Sequence, residues 1–292
     1  MTDLLLKANT EAVSADPEPQ TGAPSWRQVL NFALGLVLIV ALWQIIKMLF
    51  RLTDLQLPGL PGVIGALFQP LQADQPLLGT VLLQAALYTL REAFIGFVVG
   101  SLLGFALAVL FAHSRLLERG LLPFVVASQT VPILAIAPMV VVWLGPSAQA
   151  AGAAWLPVAV ITAYLTFFPV TINSLRGLIS VPTSALELMH SYAASRREIL
   201  FKLRIPHALP YIFTALKIAA TGSVVGAIIG ELPSGIQAGL GSTILTFSQY
   251  YIQGPARLWA TNIVAALCGL FAFALVAIAE RLIVRWQPST SR

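Results

Sequence analysis

Ionisable side chains are scarce in this chain, so the places where they gather are informative. The densest run is Glu187-Leu-Met-His-Ser-Tyr-Ala-Ala-Ser-Arg-Arg-Glu-Ile-Leu-Phe-Lys-Leu-Arg-Ile-Pro206. Its residue types suit helix capping and docking rather than bond-breaking chemistry. Ser184-x-x-Glu187 and Ser195-x-x-Glu198 both fit the capping box, in which a hydroxyl caps a helix and an acid reaches back. Two short helices are expected, Ala185 to Ala193 and Arg196 to Leu203, with Ala193-Ala194-Ser195 as the joint and Pro206 as the stop. On the second, Ile199, Leu203 and, less closely, Phe201 share an apolar side among Arg196, Arg197, Lys202 and Arg204. An exposed stripe of this kind marks a surface for a partner; the plainer alternative is a basic helical loop with no partner.

Catalytic constellations are missing from the sequence. His113, His190 and His207 have no neighbouring carboxylate or cysteine cluster, so neither a metal site nor a general base is expected, and a membrane-embedded hydrolase would need a polar cluster that is not seen. Within the apolar runs, Ser128-Gln129-Thr130-Val131-Pro132 combines three hydrogen-bonding side chains with a helix breaker. An amide in hydrocarbon is costly, so Gln129 is expected to face the bundle interior, either joining helices or lining a solute path with Ser128 and Thr130. Thr162, Tyr164, Thr166, Thr171 and Asn173 are expected to bond their own helix, and Lys217 to snorkel to an interface. In Glu231-Leu-Pro-Ser-Gly-Ile-Gln-Ala-Gly-Leu-Gly241, Glu231 could cap the next helix, pair with Arg257, or, with Gln237, close an outer gate.

Long apolar stretches position these residues. Of the 292 residues 58% are hydrophobic and 10% charged, against about 25% charged in soluble domains. Several runs reach the roughly 20 residues that cross about 30 Å of hydrocarbon as a helix. The fold class is therefore all-α, a polytopic membrane protein with about six transmembrane helices. The spans are expected near Val29–Leu49, Val81–Phe111 (Arg91-Glu92 near the boundary), Leu121–Leu144, Ala153–Ile172, Tyr211–Gly230 and Leu258–Ala279. His113 to Arg119 is read as a charged turn, and Cys268 as a small residue facing lipid or a neighbouring helix. The organisation expected is a disordered tail over 1–27, a transmembrane domain over 28–286 with a core at 79–286 and a wet loop at 176–206, and a tail over 287–292.

The net charge of +5 does not point to nucleic acid, because the basic residues sit in short loops between apolar runs. Six spans place both termini on one side. With that side cytoplasmic, 12 of the 17 Lys and Arg residues face inward against 5 elsewhere, as the positive-inside rule favours. The charged island is then cytoplasmic.

The island resembles the cytoplasmic E-A-A loop of ATP-binding-cassette importer permeases, which reads E-A-A, three residues, G, nine residues, I-x-L-P. Glu187 matches the leading acid, and Leu203-Arg204-Ile205-Pro206 matches the ending at the right spacing. Leu188-Met189 replaces the alanine pair, and Ala193 stands where glycine is usual. Alanine fits a helical joint but not a strongly positive φ, so a straighter bend is expected here. Leu122-Pro123 through Trp143-Leu-Gly145, and Gly230-Glu-Leu through Gly239-Leu-Gly241, are similar to the aliphatic sulfonate, taurine and nitrate branch of these permeases, so the resemblance covers roughly Gly79 to Trp286.

The resemblance implies a homodimer in the inner membrane with two ATPase subunits and an external solute-binding protein, contacting lipid and no nucleic acid. It assigns Glu187, Ala193, Ser195, Glu198, Ile199, Leu203, Ile205 and Pro206 to the ATPase-coupling loop. No Gly-x-x-x-x-Gly-Lys-Ser/Thr occurs, so ATP would be bound by the partner and the chain itself carries no cofactor. The implied cargo is a sulfonate, taurine, nitrate or a thiamine-precursor pyrimidine, with Ser128 to Pro132 closest to the pyrimidine branch. A self-sufficient secondary transporter or channel is the rival; it would need intramembrane acids for ion coupling, and the span interiors offer almost none by sequence.

Overall fold

A computed structural model describes residues 26–71 and 75–284. Most of the expected N-terminal tail and all of the expected C-terminal tail lie outside the described residues. In chain order the helices are α1 (Trp26–Leu49), α2 (Leu60–Ala66), α3 (Leu78–His113), α4 (Arg115–Ser128), α5 (Ile133–Ala150), α6 (Leu156–Ile179), α7 (Thr183–Ser191), α8 (Arg196–Ser234), α9 (Leu240–Gln249) and α10 (Pro255–Ile283). Among the described residues there is no β-strand, only an isolated bridge between Pro70 and Leu77. The helix α1 up to Ile46 is one unit; Lys47–Ile283 form a second, to which the core and every contact below belong.

Among the described residues five helices, α3, α5, α6, α8 and α10, are long and apolar enough to cross a bilayer, and the apolar part of α1 is the shorter Ala33–Leu49. Many of their large side chains are exposed, such as Leu102, Trp143 and Leu270, which is the outer surface a helix presents to lipid. The expected span Leu121–Leu144 is two helices. The chain leaves helical hydrogen bonding at Gln129–Pro132, because Pro132 cannot donate back into the turn before it. Pro138 and Pro146 lie inside α5, which continues through both. The expected charged turn at His113–Arg119 is a helix start, with the Ser114 hydroxyl accepting from the Leu117 amide at 3.4 Å.

The central packing is α3 and α8 against α6. It relies on missing side chains. A Cβ on Gly96 would lie 2.4 Å from the Thr162 Cβ, and one on Gly104 would lie 2.5 Å from the Phe167 carbonyl oxygen. Small residues at four-residue intervals thus let two backbones meet where no hydrophobic effect drives them together. Thr166, Thr171 and Asn173 bond carbonyls one turn back on α6, as expected, whereas the Thr162 hydroxyl has no partner and that of Tyr164 reaches another helix.

Two apolar clusters close the ends of this bundle. One joins Val63 of α2, Leu78, Leu82 and Ala86 of α3, Val224 and Ala227 of α8, Leu240 of α9 and Cys268 of α10, so the cysteine faces helices. The other, at the island end, joins Phe111 of α3, Leu175 and Leu178 of α6, and Leu200 and Ala208 of α8. The Lys47 ammonium, in the last turn of α1, bonds Asp54 Oδ1 at 2.5 Å and the Gly59 amide bonds the same oxygen at 3.3 Å. The two together hold the Asp54 carboxyl below the ordinary carboxylate range.

Candidate functional site

The island's second cap forms as the sequence requires. Ser195 Oγ accepts from the Glu198 amide at 3.3 Å while Glu198 Oε2 accepts from the Ser195 amide at 2.9 Å, so two otherwise orphaned donors are satisfied reciprocally. Lys202 adds an ion pair to Glu198 at 3.0 Å, one turn on. The first cap does not form. Pro182 occupies the position before α7, which begins at Thr183, so Ser184 already lies inside the first turn and has no free amide to cap.

The joint differs from expectation in a second way. Ala193 has φ 52°, the left-handed region, so the bend is sharp and not straightened by the missing glycine. Its Cβ crowds the backbone there, a cost the surrounding caps must offset.

Pro206 does not stop the helix. Residues Ile199–Arg204 widen into a π-helical turn and α-helix resumes at Ile205, so the island and the long span are one continuous element from Arg196 to Ser234. A proline cannot donate to the carbonyl four residues back and its ring crowds that carbonyl; the wider turn before it accommodates both defects.

This winding also redistributes the apolar residues. Ile199 and Leu200 are buried against the bundle, rather than standing on an outward stripe, and Leu203, Ile205 and Pro206 are half-buried. The island is therefore rooted by Ile199 and Leu200. Its outward apolar residues are Leu188, Tyr192 and Phe201, flanked by exposed Glu187, Arg196 and Arg197. Arg204 completes the root: its Nη1 donates to the Ala112 carbonyl at 3.0 Å, in the last turn of α3.

The polar stretch before Pro132 is not interior. Gln129 and Thr130 are exposed and Ser128 is half-buried; because the helix breaks there, the Gln129 side chain is not carried inward on a continuous face. The break is held by the Tyr164 hydroxyl of α6, which donates to the Ser128 carbonyl. Ser128, Gln129, Val131, Tyr164, Leu165 and Phe168 line a small cavity of about 80 Å³. Lys217 does not snorkel: it pairs with Glu280 of α10 at 2.7 Å, both side chains about a quarter exposed or less. Glu280 belongs to α10, which runs past the expected span end at Ala279 to Ile283.

Glu231 is 1% exposed and forms no bond to Arg257, whose Nη2 instead donates to the Leu71 carbonyl at 3.2 Å. Of the alternatives open for it, capping the next helix is the one the structure contains. Glu231 Oε2 accepts from the Gly241 amide at 2.6 Å and Oε1 from the Thr89 hydroxyl at 2.7 Å. The same Thr89 oxygen accepts from the Leu240 amide at 2.9 Å. The first residue pair of α9 is thereby capped by α3 and α8, since Gly239 has no side chain to do so. Gln237 is exposed and takes no part.

Sequence reasoning missed Glu92. It is fully buried within α3, its carboxyl beside that of Glu231 and the hydroxyl of Tyr88. The signal was available: Thr89, Glu92, Gly96, Gly100 and Gly104 recur at three- and four-residue intervals, the face on which α3 meets its neighbours.

Comparison with known proteins accords with this architecture. The family described as "Binding-protein-dependent transport system inner membrane component" matches residues 96–285. The formylaminopyrimidine transport permease protein of Halalkalibacterium halodurans is 31% identical over 260 residues, 89% of this chain and 97% of that one. The riboflavin transport system permease protein of Chloroflexus aurantiacus is 29% identical over 89% of this chain and 91% of its own length. A putative aliphatic sulfonates transport permease protein of Bacillus subtilis is 28% identical over 98% of this chain and 96% of its own length. Among solved structures, an amino acid ABC transporter with histidines superposes with a TM-score of 0.55 at 16% identity, covering 70% of this chain and 95% of that one. The inward-facing MetNI methionine ABC transporter gives 0.51 at 22% identity, covering 71% and 96%. The chain belongs to the binding-protein-dependent transport system inner membrane component family, the multi-pass permeases of ATP-binding-cassette importers for small solutes.

Proposed function

We propose that the Thr183–Arg204 island is the surface on which an ATPase subunit docks, and that α8 carries the resulting movement into the bundle. One observation carries this reading: outward-facing Phe201 and inward-anchored Ile199 and Leu200 lie on the same helix as the span, Arg196 to Ser234, while Leu188 and Tyr192 face out from the end of α7 just before the Ala193–Ser195 joint. A push on Phe201 cannot be absorbed by a loop, since Phe201 is part of α8, and a push on Leu188 or Tyr192 crosses only the short capped joint at Ala193–Ser195. Arg204 carries the same push to the end of α3. Glu187, Ser195 and Glu198 shape and charge the docking face, Ala193 sets its bend, and Leu203, Ile205 and Pro206 form the turn that joins it to the span.

In this reading the island and both termini are cytoplasmic, supported by the inward bias of Lys and Arg. ATP is bound by the docked subunit, supported by the lack of a phosphate-cradling loop in this sequence. Two copies of the chain form the pathway, and an external binding protein delivers the cargo, the latter supported by the family's description. The cargo is a small heterocycle of the pyrimidine-precursor kind, in preference to a sulfonate, taurine or nitrate. The names of the formylaminopyrimidine and riboflavin relatives support that choice. Ser128, Gln129 and Thr130, at the break between α4 and α5, border the path. Glu231 and Gln237 act at its other end, Glu231 by holding α9 rather than by facing the solute.

The rival, a self-sufficient secondary transporter, gains the buried Glu92–Glu231 pair as an argument but finds no support among the relatives, whose names are those of permeases. The test is co-purification. Phe201→Asp and Tyr192→Asp are expected to leave the chain inserted in the membrane while the ATPase subunit is lost from the complex. A normal amount of ATPase on both variants would refute the docking assignment.

A further inference from the structure

Two acids lie side by side in the dry interior of this bundle, and their surroundings are unequal. Glu231 has the Thr89 hydroxyl at 2.7 Å, the Gly241 amide at 2.6 Å and the N-terminus of the ten-residue α9, all of which favour a negative charge. Glu92 is 0% exposed, and neither of its oxygens is in hydrogen-bonding contact; the half-buried Tyr88 hydroxyl, one turn back on α3, is the neutral group that faces it beside Glu231. The cations of the neighbouring elements are not available to it: the adjacent Arg91 is exposed, Arg257 bonds Leu71, and Lys217 is paired with Glu280. Two adjacent carboxylates in a low-dielectric interior repel strongly, and neither has a hydrogen to offer the other. A single proton removes both problems at once.

We propose that Glu92 carries that proton and donates it in a hydrogen bond to Glu231, and that this carboxyl pair is a latch fastening α9 to α3 and α8. Glu92 is a positioning residue in this scheme. It leaves one full negative charge on Glu231, facing the amides of Leu240 and Gly241 through the carboxylate itself and through Thr89. The glycines of the latch are a second sign that it is built for close approach. A Cβ on Gly239 would stand 2.2 Å from the Glu231 carboxyl carbon, and one on Gly241 would stand 2.4 Å from the Ile228 carbonyl oxygen. The segment from Gly235 to Gly254, which enters and leaves α9, is thus held by a proton shared between two spans.

Infrared spectroscopy of the lipid-reconstituted protein tests the assignment directly. The carbonyl stretch of a protonated carboxylic acid is expected in the wild type and missing in E92Q. E92Q, whose amide still donates to Glu231, is expected to keep the wild-type melting temperature and the wild-type protection of the Leu240 and Gly241 amides. E231Q removes the charge and is expected to raise hydrogen exchange at those two amides by about tenfold or more. A wild type without the acid band, a band that survives in E92Q, or exchange at Leu240 and Gly241 unmoved by E231Q would each overturn the proposal. Because E92Q is isosteric and neutral, its folding does not depend on the outcome.

Discussion

Arg204 Nη1 donates to the Ala112 carbonyl at 3.0 Å, which ties the π-helical turn of the island to the last turn of α3. A helix C-terminus leaves carbonyls without partners, and a guanidinium meets both the missing hydrogen bond and the negative end of the dipole. If this contact transmits movement from the docked ATPase to a second span, Arg204→Ala should keep the complex assembled and lower transport roughly fivefold, the lower end of ordinary coupling energies. The measurement is uptake in proteoliposomes containing the full complex, alongside ATPase content. Arg204→Lys, a donor of different reach, should fall between the two. Loss of the ATPase itself from Arg204→Ala would assign the residue to docking.

Ala193 holds φ 52° at the joint between α7 and α8. A left-handed alanine costs about 1–2 kcal/mol, and glycine removes most of that while losing some stability through its freer unfolded chain. Ala193→Gly should therefore stabilise by roughly 0.5–1 kcal/mol, a rise of about 2–3 °C in melting temperature. Ala193→Val, β-branched in the same conformation, should lower it. Equal melting temperatures for all three would mean that the joint relaxes out of the left-handed region.

The island shows how far sequence could reach. The cap at Ser195–Glu198, the joint at Ala193–Ser195 and the succession of apolar spans were legible because each depends on residues close in sequence. What was not legible depends on winding or on distant partners. Pro206 reads as a stop, yet a π-helical turn carries the helix past it and places Leu200 in the core, beside Phe111 and Leu178 from other helices. Gln129 reads as interior because its run is apolar, but its helix ends at Ser128. Glu231 offered three local roles by sequence; it takes one of them, the cap on α9 through the Gly241 amide, but its second partner, Thr89, is more than a hundred residues away.

Gly239 and Gly241 are held to glycine by Glu231 and by the α8 backbone, with a Cβ at either meeting atoms well inside contact distance. Gly239→Ala should push α9 off its cap, exposing two amides and one buried carboxylate, at a cost of about 2–4 kcal/mol. Reduced yield and a lower melting temperature are the expected readings. Gly62→Ala is the matched control: nothing lies within 4 Å of its Cβ position, and it should be neutral. If both variants melt alike, the space beside Glu231 is not as closed as the geometry requires.

Lys217 and Glu280 form the cross-link between α8 and α10, at 2.7 Å and with side chains 22% and 25% exposed. The pair is partly dry, so its two halves do not contribute independently. Removing one partner leaves a charge facing hydrocarbon, whereas replacing both by apolar side chains of similar size leaves none. Lys217→Met alone and Glu280→Leu alone should each destabilise, by roughly 1–3 kcal/mol after allowance for the remaining exposure. The double variant should recover most of that loss. A double-mutant cycle on melting temperature in one lipid–detergent mixture decides it, and additive losses would mean that the two side chains act on separate neighbours rather than on each other.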